Sequence, residues 1–227
     1  MQNIRRELSI RKEEANNILS FLKYMENSAD ISRGRDLGFD STTVMTSIKA
    51  GMILMLYNAV ESTVTKCLER LHEIIISQNL HFDECNEKLK KLIIVYYENV
   101  KEKSSDIHSS APYILEFYQY IKGNDVFKIT YKELSRFYSL YSGNLDSKEI
   151  ISVLDKYGII FEERQSVLKT IKDNRNKLAH GELTFEEAGR SLSVPQLEVM
   201  KERTFAYMEK TVYSIEQYVN NREYKIL

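Results

Sequence analysis

Only eight glycines and two prolines interrupt 227 residues, and nothing constrains the fold more. Strand-rich sandwiches need a turn every eight to twelve residues, and turns draw on Gly and Pro. A chain this poor in breakers is expected to fold into long helices. Apolar residues make up 43% and charged residues 29%, enough to bury a core without disulfides or metals. The two cysteines, Cys67 and Cys85, lack metal-ligand spacing and read as reduced thiols, with Cys67 in the core.

The periodicity orders the chain. Arg5 to Met25 carries Leu8, Ile18, Leu19, Phe21, Leu22 and Met25 against a charged face, which predicts an amphipathic helix. A polar, Gly-containing loop follows, with Ser41 or Thr42 as the cap of the next helix. That helix is expected from about residue 43 to 78. Its first half is apolar nearly all round, which places it at the centre of a bundle. A third helix is expected over residues 83 to 103, and Pro112 is expected in the first turn of a fourth. Residues 123–160 differ: short elements punctuated by Gly143, Asn144 and Gly158 predict a small helical insertion, its second helix capped by Asp146. A helix from 162 to 180 should stop at Gly181, a short element should span 184–190, and Val194-Pro195 should open the last helix. The expectation is one all-α domain over 1–227.

Net charge is −1, so nucleic-acid binding would need a local patch. The charged N-terminus has no signal-peptide apolar stretch. The run from Ala50 to Val60 is about half of a membrane span. The expected location is the cytoplasm, with no membrane partner. No Walker A loop, Gly-x-Gly-x-x-Gly, His-Glu-x-x-His or Gly-x-Ser-x-Gly occurs, so nucleotide-dependent and zinc-hydrolase chemistry drop away.

What remains is KTIKDNRNKLAHGE. Arg175 and His180 stand five residues apart at a helix end. Five basic residues (Arg164, Lys169, Lys172, Arg175 and Lys177) face one acid, Asp173. An imidazole can exchange protons with a ribose hydroxyl or a leaving oxygen. A guanidinium can grip a phosphate and neutralise developing charge. One Arg and one His do not complete an acid–base pair, whereas a symmetric dimer would supply two of each. From spacing alone, a second reading stays open, in which both side chains merely cap terminal carbonyls.

RNKLAHGE, together with LYNAVES at 56–62 and SGNLDSKEIISVLDKYGI at 142–159, resembles the HEPN superfamily, in its MAE_28990/MAE_18760-like branch. The resemblance implies an all-α bundle that forms a homodimer through its motif helices. It further implies a metal-independent endoribonuclease without cofactors, of the kind found in toxin–antitoxin or phage-defence systems, leaving a 2′,3′-cyclic phosphate. An antitoxin or defence-system protein is the implied partner, and RNA the substrate. By position, Arg175 and His180 match the motif, and Asn176 matches the polar residue that follows the Arg. The sequence departs from toxins with a modifiable tyrosine after the His: His180 is followed by Gly181, Glu182, Leu183 and Thr184.

Around that pair, Lys172 and Lys177 are candidate substrate contacts. Asn58 and Glu61 share a face of the apolar helix; Glu61 either orients Arg175 or His180, or belongs to a structural ion pair or an exposed stripe. Tyr57, Tyr96, Tyr97, Tyr113, Tyr118 and Tyr120 read as core with wet hydroxyls rather than base-stacking platforms. His72, His81 and His108 read as surface or cap residues, and Arg33 and Arg35 as a solvated loop. A catalytically silent HEPN dimer, acting as an interaction or RNA-binding module, is the alternative to the nuclease.

Overall fold

The computed structural model describes residues 1–27, 40–104, 106–141 and 143–226, and is built from helices with no strand among them. Arg33 and Arg35 lie outside the described residues. Helix α1 (Gln2–Asn27) buries Ile4, Leu8, Ala15, Leu19 and Leu22. Phe21, expected inside, is 46% exposed. It stands thirteen positions after Leu8, roughly 220° round the helix at 100° per residue.

Helix α2 (Ser41–Ser77) forms the axis, packed by α1, α7, α8 and α9. Asp40 caps it, rather than Ser41 or Thr42: its carboxylate accepts from the Thr42 amide at 3.0 Å and the Thr43 hydroxyl at 2.7 Å. Ser41 is instead buried. By length and composition α2 could cross a membrane, a longer apolar stretch than the 50–60 run alone indicated, yet half of its most apolar window is buried inside the bundle.

A 3-10 turn at Phe82–Glu84 precedes α3 (Glu87–Lys103), so the third helix starts later than expected, at its Asn86 cap. Helix α4 (Ile107–Ile121) begins five residues before Pro112, because Asp106 and Ser109 close a capping box there. The bond lost to the proline is that to the carbonyl of His108, an exposed residue on which water can substitute. Helices α5 (Tyr131–Phe137) and α6 (Ser147–Asp155) follow, and Asp146 caps α6. The apolar residues of this stretch, among them Phe127, Leu134, Val153 and Leu154, join the same core as α1, α2 and α9.

Helix α7 (Ser166–Ala179) begins four residues later than expected. Phe161 is drawn into the core against Tyr207, ring centroids 5.3 Å apart, and the chain coils only from its Gln165 cap. Short α8 (Phe185–Arg190) and long α9 (Val194–Asn220) complete the fold, each opened by a capping box. Helix α9 returns to α1, and Arg5–Glu216 and Lys23–Glu198 ion pairs line their seam at 2.5 and 2.7 Å.

His72 corrects an expectation: it is buried, not a surface or cap residue. Its two nitrogens meet the Ile129 carbonyl at 2.7 Å and the Tyr157 hydroxyl at 2.8 Å, tying α2 to the segments around α5 and α6. Burial pushes its pKa down to about 4, so the ring is neutral. Cys67 and Cys85 are free and buried, and burial pushes the Cys67 thiol up to about 12. Of the tyrosines read as core, Tyr57, Tyr96, Tyr97 and Tyr120 are buried and Tyr113 packs at the edge, whereas Tyr118 is exposed.

Candidate functional site at the end of helix α7

The end of α7 is closed by local sequence. Gly181 adopts φ +71°, a conformation costly for any residue with a Cβ. Its amide returns to the Leu178 carbonyl at 3.3 Å, and that of Glu182 to Lys177 at 2.9 Å, the Schellman pattern. His180 is the C-cap, exposed, its amide spent on the Asn176 carbonyl. Leu178 anchors the turn by packing with Ala50 and Ala188. The chain beyond is pinned by Gly189, where an added Cβ would fall 1.8 Å from the Thr46 carbonyl oxygen; only glycine lets α8 approach α2 so closely.

One turn and a half earlier, Arg175 is half-buried. Its guanidinium carbon lies 4.6 Å from the centroid of the Tyr57 ring, and one Nη donates to Asn176 Oδ1 at 3.0 Å. The Asn176 Nδ2 donates to Asn144 Oδ1 at 2.8 Å. Tyr57 is only 1% exposed; its hydroxyl donates to the Gly143 carbonyl and accepts the Leu145 amide at 3.2 Å. Burial raises the Tyr57 hydroxyl above its ordinary range, so it stays a neutral phenol that can donate.

Lys172, a candidate substrate contact, is already committed: its ammonium bonds Asp146 Oδ2 at 2.5 Å. Burial pushes the Asp146 carboxyl up, but Lys172 and the capped amides of Glu149 and Lys148 outweigh it and hold the carboxyl below its usual range. Lys177 is exposed in the last turn. Among the described residues Glu61 makes no hydrogen bond or ion pair, with Arg175, His180 or any other group, which leaves it in a polar stripe of α2. With Asn58 it lines a polar groove between α1 and α2, alongside Arg11, Ser62 and Lys66. Its negative charge reaches Tyr57, one turn away on α2.

The structure thus brings Arg175 together with Tyr57, Asn176 and Asn144, and leaves His180 open at the helix end. Sequence reasoning placed Tyr57 in the core but missed its contact with Arg175, and it missed Asn144 altogether. The only local signal for Asn144 was its place in a Gly-Asn turn ahead of a capping aspartate. Among the described residues no three His, Cys, Asp or Glu side chains lie close enough to hold a metal ion.

The sequence profile of the MAE_28990-like HEPN family matches residues 1–224. The chain belongs to that family. No curated protein and no solved structure matches it significantly. Membership in HEPN, whose domains are often ribonucleases, points to a nuclease or RNA-related role.

Proposed function

We propose that this HEPN protein is a metal-independent endoribonuclease, acting in the cytoplasm in a toxin–antitoxin or phage-defence setting. The observation that carries the reading is the pairing of a held guanidinium with an open imidazole at one helix end. Arg175 has spent one of its five N–H groups on Asn176, and the remainder suit a bidentate phosphate. In the proposed step a ribose 2′-oxygen attacks the adjacent phosphorus while the P–O5′ bond breaks. One His180 takes the 2′-hydroxyl proton, and a second protonates the departing 5′-oxygen. Arg175 offsets the charge that builds on the non-bridging oxygens. The products are a 2′,3′-cyclic phosphate and a 5′-hydroxyl. Lys177, Asn58 and Glu61 border the substrate path in this reading, and residues 123–160 form an insertion within one domain.

Two histidines require two copies of the chain. The outward stripe of α2 supports a homodimer. Val44 is exposed there, Leu54 and Met55 are half-covered, and a Cβ on Gly51 would meet nothing within 4 Å. This stripe runs beside the Leu178–Ala188 contact that anchors the α7 end. The decisive experiment is cleavage of labelled total RNA in EDTA by wild type and His180→Ala. Cutting that survives the chelator and disappears in the variant establishes the enzyme. Equal behaviour of the two proteins favours the silent interaction module.

A further inference from the structure

A guanidinium on a long flexible stem contributes to a transition state only if its orientation is set beforehand. The surroundings of Arg175 set it from two sides, with the Tyr57 ring on one and Asn176 Oδ1 on the other. We propose that Tyr57 and Asn144 are positioning residues for Arg175: Tyr57 lies under the guanidinium, and Asn144 fixes the amide of Asn176 that accepts from it. The catalytic consequence rests on the ribonuclease reading above; the positioning itself can be tested without substrate.

Tyr57 is suited to the task because its ring cannot drift. It is buried, and its hydroxyl is bolted to the backbone at Gly143 and Leu145. A cation over a ring fixed in this way gains electrostatic attraction without adding motion of its own. Asn144 does something different. An asparagine beside an arginine can present either its oxygen or its NH₂, and the second meets the guanidinium donor to donor. With Nδ2 of Asn176 given to Asn144 Oδ1, its Oδ1 is left facing Arg175.

The stretch 143–146 therefore grips α7 on both sides of the arginine, through Asn144 to Asn176 and through Asp146 to Lys172. The second bond is a short ion pair between largely covered groups and fixes the stretch against α7 on the side away from Asn176.

The test combines steady-state cleavage with the Arg175 side-chain Nε–H resonance, assigned by its loss in Arg175→Lys. A guanidinium stacked on a tyrosine is shifted upfield by the ring current. Expected for Tyr57→Leu is loss of that shift and a fall in kcat of about 10- to 100-fold, with KM moving less than about threefold. Tyr57→Phe keeps the shift and loses only a few-fold. Asn144→Ala lowers kcat about 10-fold and moves the resonance, and Asn144→Asp, which still accepts from Asn176, brings kcat back to within about threefold. Unchanged kcat and resonance in Tyr57→Leu and Asn144→Ala overturn the proposal. If Tyr57→Leu does not fold, the Asn144 pair decides. If wild type and His180→Ala cleave alike, the ribonuclease reading has failed, and the resonance in the Tyr57 and Asn144 variants still decides the positioning.

Discussion

His72 and His180 are the same side chain in opposite circumstances. The first is sealed among Phe127, Tyr131 and Tyr157, with both nitrogens occupied. The second ends a helix in the open, its backbone bonded and its ring facing outward. The buried imidazole joins elements and cannot trade protons without breaking what it joins. The exposed one has no side-chain hydrogen bond among the described residues and is free to do chemistry. Stability and activity should therefore separate cleanly between these two regions.

The largest expected effect is at the exposed residue. His180→Ala should cost about 10²- to 10⁴-fold in cleavage rate, the usual range for a lost general acid–base, while urea denaturation midpoints stay unchanged. A shift in midpoint would break the comparison.

Gly189→Ala sharpens it from the other side, because the open end of α7 leans on a buried backbone contact. A methyl group 1.8 Å from the Thr46 oxygen cannot be accommodated in place. Overpacking of this kind should cost about 3 kcal/mol or more and lower activity along with stability, both visible in parallel denaturation and cleavage assays.

The buried histidine predicts a pH dependence. The unfolded ring titrates near 6.5 and the folded one near 4. Between those values the unfolded chain binds a proton that the folded chain refuses. The contribution of this ring is therefore complete above pH 6.5, falls by roughly 3 kcal/mol as the pH drops toward 4, and levels off below, where the depressed carboxyls such as Asp146 take over the acid-side loss. His72→Leu should be less stable at neutral pH and lose that slope. A slope that persists in the variant would assign it elsewhere.

The smallest effect concerns a hydroxyl with no partner. Thr204, fully buried in α9, leaves its Oγ1 without a hydrogen bond among the described residues. Thr204→Val keeps the shape and removes the unmet group, so thermal midpoints should rise by about a degree or more, equivalent to a few tenths of a kcal/mol.

Much of the fold was legible because its signals are local. The scarcity of breakers foretold helices, Gly181 marked the stop of α7, and Asp146 and Val194-Pro195 marked starts. Local signals misled where several competed. Asp40, Ser41 and Thr42 are all capping types, and the first of them takes the role. His72 reads as a surface residue from its own polarity, yet Leu68, Leu71 and Ile75, adjacent to it or three or four positions away on the same helix, are all core. At the site, Arg175 and His180 stood out as a pair. The partners of Arg175 did not, since Tyr57 lies 118 positions away and Asn144 meets α7 only after α6 has packed. Contacts of that range leave no periodic trace.

On the ribonuclease reading proposed above, the seam between α1 and α9 bears on when the activity could first appear during synthesis. The first helix cannot complete its burial until the last has left the ribosome, because Leu8, Leu19 and Leu22 share a core with Phe205, Met208 and Val212. Helix α7 precedes α9 in synthesis and packs on it. At roughly 5–20 residues per second, the residues after His180 take several seconds to translate. A nascent chain thus carries Arg175 and His180 through that interval before α9 can pack on α7, a delay written into the order of the helices.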